Sequence, residues 1–333
     1  MAKYNVYGLG NALVDLEFEV TDEFLARQNI EKGLMTLLDE QAHQVLLDKL
    51  NQEFSLLKRA GGGSAANSLV GLCQFGGSAF LSCKVGDDES GQFYGENLQQ
   101  AGVSIRVSEL DLHGQTGKCM VMVTDDAERT MNTFLGITAD FSEKELFIEE
   151  LAEAEYLYIE GYLVTSDNAR QAILKAKSQA KTNGNKIAMT FSDPAMVKYF
   201  KEGIDELLGS DPIDLLFCNE EEALTFADTD NLADAAKVLL TRAKQVAVTR
   251  GADGASVFTA EGEVKVAAPQ VKPVDTNGAG DMFAGAFLYA ICNGWDTAKA
   301  AQFACAAASE VVQSFGPRIS KEQQQTLLTQ YQG

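Results

Sequence analysis

Short, nearly continuous apolar runs recur along the chain, separated by longer stretches whose apolar positions return at helical spacing. The first run, residues 4–9, reads as a buried strand; further ones stand at 79–85, 156–159, 187–190, 215–217, 246–249 and 255–258. Between the later runs the periodicity predicts helices over 167–183, 194–208 and 232–242, and a final alanine-rich helix over 298–313 that stops at Phe315-Gly316-Pro317. Strands with no polar face, alternating with helices, are what a mostly parallel sheet covered on both sides requires. The expected fold is therefore α/β with three layers, helices on each face of one central sheet.

Two stretches break this rhythm. Residues 21–58 read as a short helix, a strand at 33–35 and an amphipathic helix over 39–50. From 103 to 138 short strand-like runs follow one another at 105–107, 117–123 and 129–133, with a turn at Thr124-Asp125-Asp126 and no helix between. The expected division is a large α/β domain over 1–15, 37–102 and 139–333, and a small β lid over 16–36 and 103–138.

Composition narrows the chemistry. Lys and Arg total 27 against 48 Asp and Glu, a net charge of −21, which argues against nucleic-acid or anionic-membrane partners. No apolar run reaches the roughly 20 residues of a membrane span and the start of the chain has no secretory pattern, so a cytoplasmic protein is expected. The six cysteines are scattered among apolar neighbours without a C-x-x-C, as structural thiols in a reducing compartment would be. Only His43 and His113 are present, both in polar surroundings and expected at the surface. Carboxylates, backbone amides and Mg²⁺ are left to carry any reaction.

The most informative stretch is Asp275-Thr276-Asn277-Gly278-Ala279-Gly280-Asp281, followed by the apolar run Met282 to Leu288. Small residues opening a buried helix leave first-turn N–H groups free, and the helix dipole favours an anion there. An aspartate at that place would repel a bound phosphate. Two readings stand: a glycine turn with an acidic cap, or Asp281 as the base that deprotonates a nucleophile beside an anion hole. A second glycine run, Gly61-Gly62-Gly63-Ser64, also opens a helix, with Asn67 one turn in. Asp15 stands inside an apolar run and reads as a ligand for hydroxyls or a satisfied core acid. Asn219 and Glu222 share a helix face and suit a hydrated Mg²⁺, or plain dipole chemistry. Arg129, in the lid, is a candidate for a phosphate contact or a solvated surface charge. Glycine after the first strand lacks the third glycine of a dinucleotide fingerprint.

Together, Gly61 to Asn67, Asn-x-x-Glu at 219–222, Thr-x-Gly-x-x-Gly at 249–254 and Asp-Thr-x-Gly-Ala-Gly-Asp at 275–281 resemble, in order, the ribokinase-like (PfkB) carbohydrate and nucleoside kinases. Gly10 to Asp15, Gln115 to Cys119 and Asn219 to Ala227 are most similar to segments of adenosine kinases. The resemblance implies ATP-dependent phosphorylation of a primary alcohol. Asp281 would be the base, with the amides of Gly278, Ala279 and Gly280 as anion hole and Arg129 on the transferring phosphate. Asn11 and Asp15 would hold a sugar diol, with Gly62, Gly63, Asn67 and Tyr162 beside it. Asn219, Thr249, Gly251 and Gly254 would border ATP, and Glu222 would organise Mg²⁺ through water. Many relatives hold K⁺ beside the hole, and the matching positions are Asp275, Asn277, Gly316 and Ser320. Adenosine is the first expected substrate. A free sugar such as ribose, fructose or 2-keto-3-deoxygluconate is the alternative, because only Tyr162 stands where animal-type adenosine kinases stack the purine on two aromatics. Binding of a nucleotide or sugar without turnover is the remote third, and monomer and homodimer both stay open.

Overall fold

The computed structural model describes residues 2–106 and 113–331. Among them, in chain order, run the strands β1 (Tyr4–Leu9), β2 (Leu13–Glu19), β3 (Met35–Leu37), β4 (Leu56–Gly62), β5 (Ala79–Ser82), β6 (Val103–Ser104), β7 (Gly117–Val123), β8 (Arg129–Phe134), β9 (Ala154–Ile159), β10 (Lys186–Thr190), β11 (Leu215–Asn219), β12 (Gln245–Thr249), β13 (Ala255–Thr259) and β14 (Gly262–Val266). The apolar runs pair into one sheet of order β14-β13-β12-β11-β10-β9-β1-β5-β6. It is parallel from β12 through β6, and β13 and β14 continue it antiparallel at one edge. Val6, Leu157, Met189, Leu216 and Val248 are wholly buried, because both sheet faces lie under helices.

One face is covered by the helices Ser64–Gln74, Ala279–Cys292 and Thr297–Val311. The middle one buries every residue from Met282 to Ala290, which its alternation of small and aromatic side chains permits. The other face carries Asp167–Asn183, capped by Ser166 and closed by Gly184 at φ 80°. The carboxyl ends of the parallel strands therefore all open on one rim, and the helices 64–74, 220–227 and 279–292 begin there. Among the described residues no helix is long and apolar enough to cross a membrane.

A second sheet, of order β3-β8-β7-β2-β4, stands over that rim. It includes β4, which pairs antiparallel with β2 although its Lys58, Arg59 and glycines resemble no strand in the sequence. Conversely, β6 joins β5 in the large sheet, and Val107 of the strand expected at 105–107 lies outside the described residues. The helix expected over 194–208 is two, Pro194–Tyr199 and Lys201–Leu208, because Phe200 leaves helical dihedrals at φ −125°, ψ 28°. A further helix, Lys321–Tyr331, follows the glycine–proline stop; it buries only Leu327, so its apolar spacing is weak.

His43 corrects the surface expectation. It is buried beside the Phe134 ring, and burial, with Lys118 nearby, pushes its pKa down to about 4, so it stays neutral. His113 is exposed, and the six cysteines are free thiols, Cys83, Cys119, Cys218 and Cys305 buried.

Candidate active site

The first strand delivers Asn11 and the second Asp15 to the cleft between the two sheets. Asp15 faces Ala60 and Cys119 across its ladders and is buried, with no hydrogen-bond partner for its carboxylate among the described residues. Burial, reinforced by Glu17 and opposed by Arg318, holds its pKa well above the usual carboxylate range. Gly62 makes room for it: a Cβ there would sit 2.1 Å from Asp15 Oδ2. An acid kept in this state has its oxygens free for hydroxyls of a ligand.

Asp281 lies in the first turn of the helix Ala279–Cys292. Ser64 Oγ donates to its Oδ1 at 2.6 Å and Asn67 Nδ2 to its Oδ2 at 3.2 Å. Burial raises its pKa; Ser64, Arg129 and Asn67 pull the other way. Gly278 caps that helix at φ 76°, a conformation costly for any residue with a Cβ, while a Cβ on Gly280 would meet open space. The helix has no side-chain cap, so its leading amides are available to an anion.

Arg129, at the start of β8, donates from Nη1 to Asn277 Oδ1 at 3.2 Å and forms no ion pair among the described residues. It is half-buried, not a solvated surface charge, and it lines the same cleft. The cavity lined by these groups encloses about 340 Å³. It brings together Asn11, Asp15, Gly63, Asn67, Arg129, Tyr162, Asn219, Glu222, Thr249, Gly251, Asn277, Gly278, Ala279, Gly280 and Asp281. Gly62 lies behind Asp15. Gly254, at φ 92°, turns the chain against the Val266 carbonyl and does not line the cavity.

Asn219 and Glu222 form a reciprocal cap. Asn219 Oδ1 accepts from Glu222 N at 2.7 Å, and the Glu222 carboxylate accepts from Asn219 N at 2.9 Å and Nδ2 at 3.1 Å. Burial raises the Glu222 pKa to about 8. Among the described residues no three carboxylate, histidine or cysteine groups gather as a metal site. Of the four positions matched to K⁺, Asp275 and Asn277 are buried together and Gly316 N donates to Asp275 Oδ2 at 2.8 Å. Ser320 stands apart: it is exposed, and its Oγ accepts from Gln323 N at 3.2 Å.

Sequence reasoning missed three features. Glu160 is buried and accepts from Asn11 N, Asn11 Nδ2 and Ala65 N at 3.2, 2.9 and 2.9 Å, tying the first strand to the helix that carries Ser64 and Asn67. Burial raises its pKa to about 7, with these donors pulling it down. Ser64 was visible in the glycine run, yet nothing local marks it as the partner of Asp281. The second sheet also lines the cavity with the apolar Leu13, Met35, Leu37, Cys119 and Met131, beside Arg129 and Thr133, and Leu135 follows just past β8. The Tyr162 ring lines the cavity while its hydroxyl donates to Asp193 Oδ2 at 3.1 Å.

The model of the pfkB family of carbohydrate kinases matches residues 35–324. The adenosine kinase of Saccharomyces cerevisiae is 30% identical over 337 residues, covering 94% of this chain and 96% of its own. The structure of an adenosine kinase from Sinorhizobium meliloti superposes with a TM-score of 0.93 at 32% identity, covering 99% of this chain and 100% of that one. A probable sugar kinase from Rhizobium etli CFN 42 gives 0.93 at 31% identity, with 99% of each chain covered. Two neighbours of equal likeness carry different substrate classes in their names, so the acceptor has to be argued from the cavity.

Proposed function

The chain belongs to the pfkB family of carbohydrate kinases, phosphotransferases with an alcohol acceptor, and from that premise we propose that its acceptor is the primary hydroxyl of a nucleoside, adenosine first. The observation that carries the acceptor is the mixed polar and apolar lining of the cavity. Asn11, Asp15, Asn67 and Asp281 supply polar groups suited to a ribose, and apolar residues of the second sheet line the same cavity. A free sugar has hydroxyls all round and would leave those residues unused, whereas a purine would cover them and lie against Tyr162.

In this reading Asp15 and Asn11 bind the ribose diol, with Gly62 and Gly63 letting the chain pass close. Asp281, oriented by Ser64 and Asn67, takes the proton of the attacking hydroxyl. The amides of Gly278, Ala279 and Gly280 hold charge developing on the transferred group, and Arg129 closes on it from the second sheet, which acts as a lid. ATP lies along Asn219, Thr249 and Gly251. Mg²⁺ on its phosphates would neutralise their charge, with Asn219 and Glu222 positioned to hold its waters.

ADP release with MgATP against adenosine, inosine, guanosine, ribose, fructose and 2-keto-3-deoxygluconate tests the assignment. Turnover on a nucleoside with none on the free sugars is expected. Turnover confined to a free sugar would keep the phosphotransfer and overturn the acceptor.

A further inference from the structure

The residues matched to a monovalent cation are already engaged with one another and with a lysine. Both oxygens of Asp275 are engaged, Oδ1 by Asn277 N and Oδ2 by Gly316 N, each at 2.8 Å. Ser320 is turned to capping. The carbonyl of Phe315, beside the matched Gly316, accepts from Lys58 Nζ at 2.9 Å. A Cβ built on Gly316 would lie 2.2 Å from that ammonium, so the lysine head rests against the Gly316 backbone. A second cation brought to this part-buried spot would meet the first at close range, where repulsion is weakly screened.

Positive charge already stands beside the loop. Lys58 on β4 sits directly opposite Glu17 on β2. Glu17 is buried, with no hydrogen-bond partner for either oxygen among the described residues, and Asn277 Nδ2 is equally unpartnered. Lys58 and Arg129, which donates to Asn277 Oδ1, bring positive charge to the surroundings of Glu17 and Asp275.

We propose that Lys58 is a built-in substitute for the monovalent cation, a positioning residue whose ammonium holds the Phe315–Gly316 turn and so frees phosphoryl transfer from a requirement for K⁺. The route to the anion hole is short. Lys58 fixes Phe315, Gly316 N holds Asp275, and Asp275 holds Asn277, the residue before Gly278. Pro317, next in the turn, lies against Gly278 itself, where an added Cβ would come within 2.3 Å of it. This inference rests on the phosphotransfer reading of the same hole, so its test includes a readout that needs no turnover.

The test compares melting temperature and MgATP-dependent turnover in potassium, sodium and tetramethylammonium chloride at equal ionic strength. The wild-type protein is expected to show the same melting temperature and turnover in all three. Lys58→Met is expected to lose about tenfold or more in kcat, to recover part of it in potassium but not in tetramethylammonium, and to gain a potassium-specific rise in melting temperature. Lys58→Met combined with Glu17→Gln removes both buried charges. With the ammonium and the carboxyl opposite it both gone, this variant is expected to stay slow and unresponsive to potassium, which keeps the proposal open to test if the single variant fails to fold. A potassium-specific rise in wild-type melting temperature, or Lys58→Met with wild-type turnover in tetramethylammonium, overturns it. If no acceptor is phosphorylated at all, the kinase reading fails, and the melting comparison still decides the role of Lys58.

Discussion

Ser64 Oγ donates to Asp281 Oδ1 at 2.6 Å, joining the first turns of two helices 217 residues apart in sequence. The bond does two things for a would-be base. It fixes the rotamer of the carboxylate toward the cavity, and it favours the charged form against the burial that disfavours it. The second oxygen is held by Asn67, so orientation comes from one helix and the anion hole from the other.

Removing that donor should therefore move a pH profile. In Ser64→Ala the Asp281 pKa rises further from its ordinary 3.8, because a contribution that lowers it is lost. The acid limb of kcat against pH is expected to shift upward, with kcat near neutrality falling about tenfold, the scale of one charge-assisted hydrogen bond. An unshifted limb would mean that Asp281 is not the group titrating.

The two glycines of the hole separate folding from function. Gly278→Ala places a Cβ at φ 76° and against Pro317, and is expected to destabilise the protein by about 1–3 kcal/mol in chemical denaturation. Gly280→Ala points its methyl into open space, so stability should hold while the KM for MgATP rises or kcat falls. Wild-type kinetics in Gly280→Ala would remove its amide from the phosphate path.

Three buried acids give the stability a sign against pH. Glu17 and Glu160 are pushed up to about 7 and Glu222 to about 8, each chiefly by burial. Between the ordinary glutamate value of 4.5 and these values the folded state holds protons that the unfolded chain has released. Stability from this source is fully present below that ordinary value and is lost as pH rises through the folded values. Denaturation midpoints are expected to fall from about pH 5 to about pH 8, and Glu160→Gln should flatten the slope. A midpoint rising over that range would show that these carboxyls are not protonated in the folded state.

The parallel sheet was legible because its strands carry apolar residues on both faces, and the segments that line the cavity because small residues before a helix leave its first amides uncovered. β4 was not: Lys58, Arg59 and a glycine run have little strand propensity, and only pairing with β2 makes the stretch extended. Ser64, Glu160 and Lys58 were missed for a different reason. Their partners lie 217, 95 and 257 residues away, and no local period records such contacts. The role of Ser320 was read from position in a motif, whereas the geometry gives its hydroxyl to the helix that follows. The apolar lining, too, comes from separate strands whose residues come together only once the second sheet is assembled.

The central claim, that Asp281 is the base in phosphoryl transfer, is tested most directly by Asp281→Asn. The amide keeps the size of the carboxylate and a contact with Ser64 while losing the ability to take a proton. ATP affinity by calorimetry should stay close to wild type, and turnover on adenosine should drop by about 10²–10⁴-fold, the usual contribution of a positioned base. Turnover at the wild-type rate would contradict the account and leave Asp281 as the acidic cap of a glycine turn.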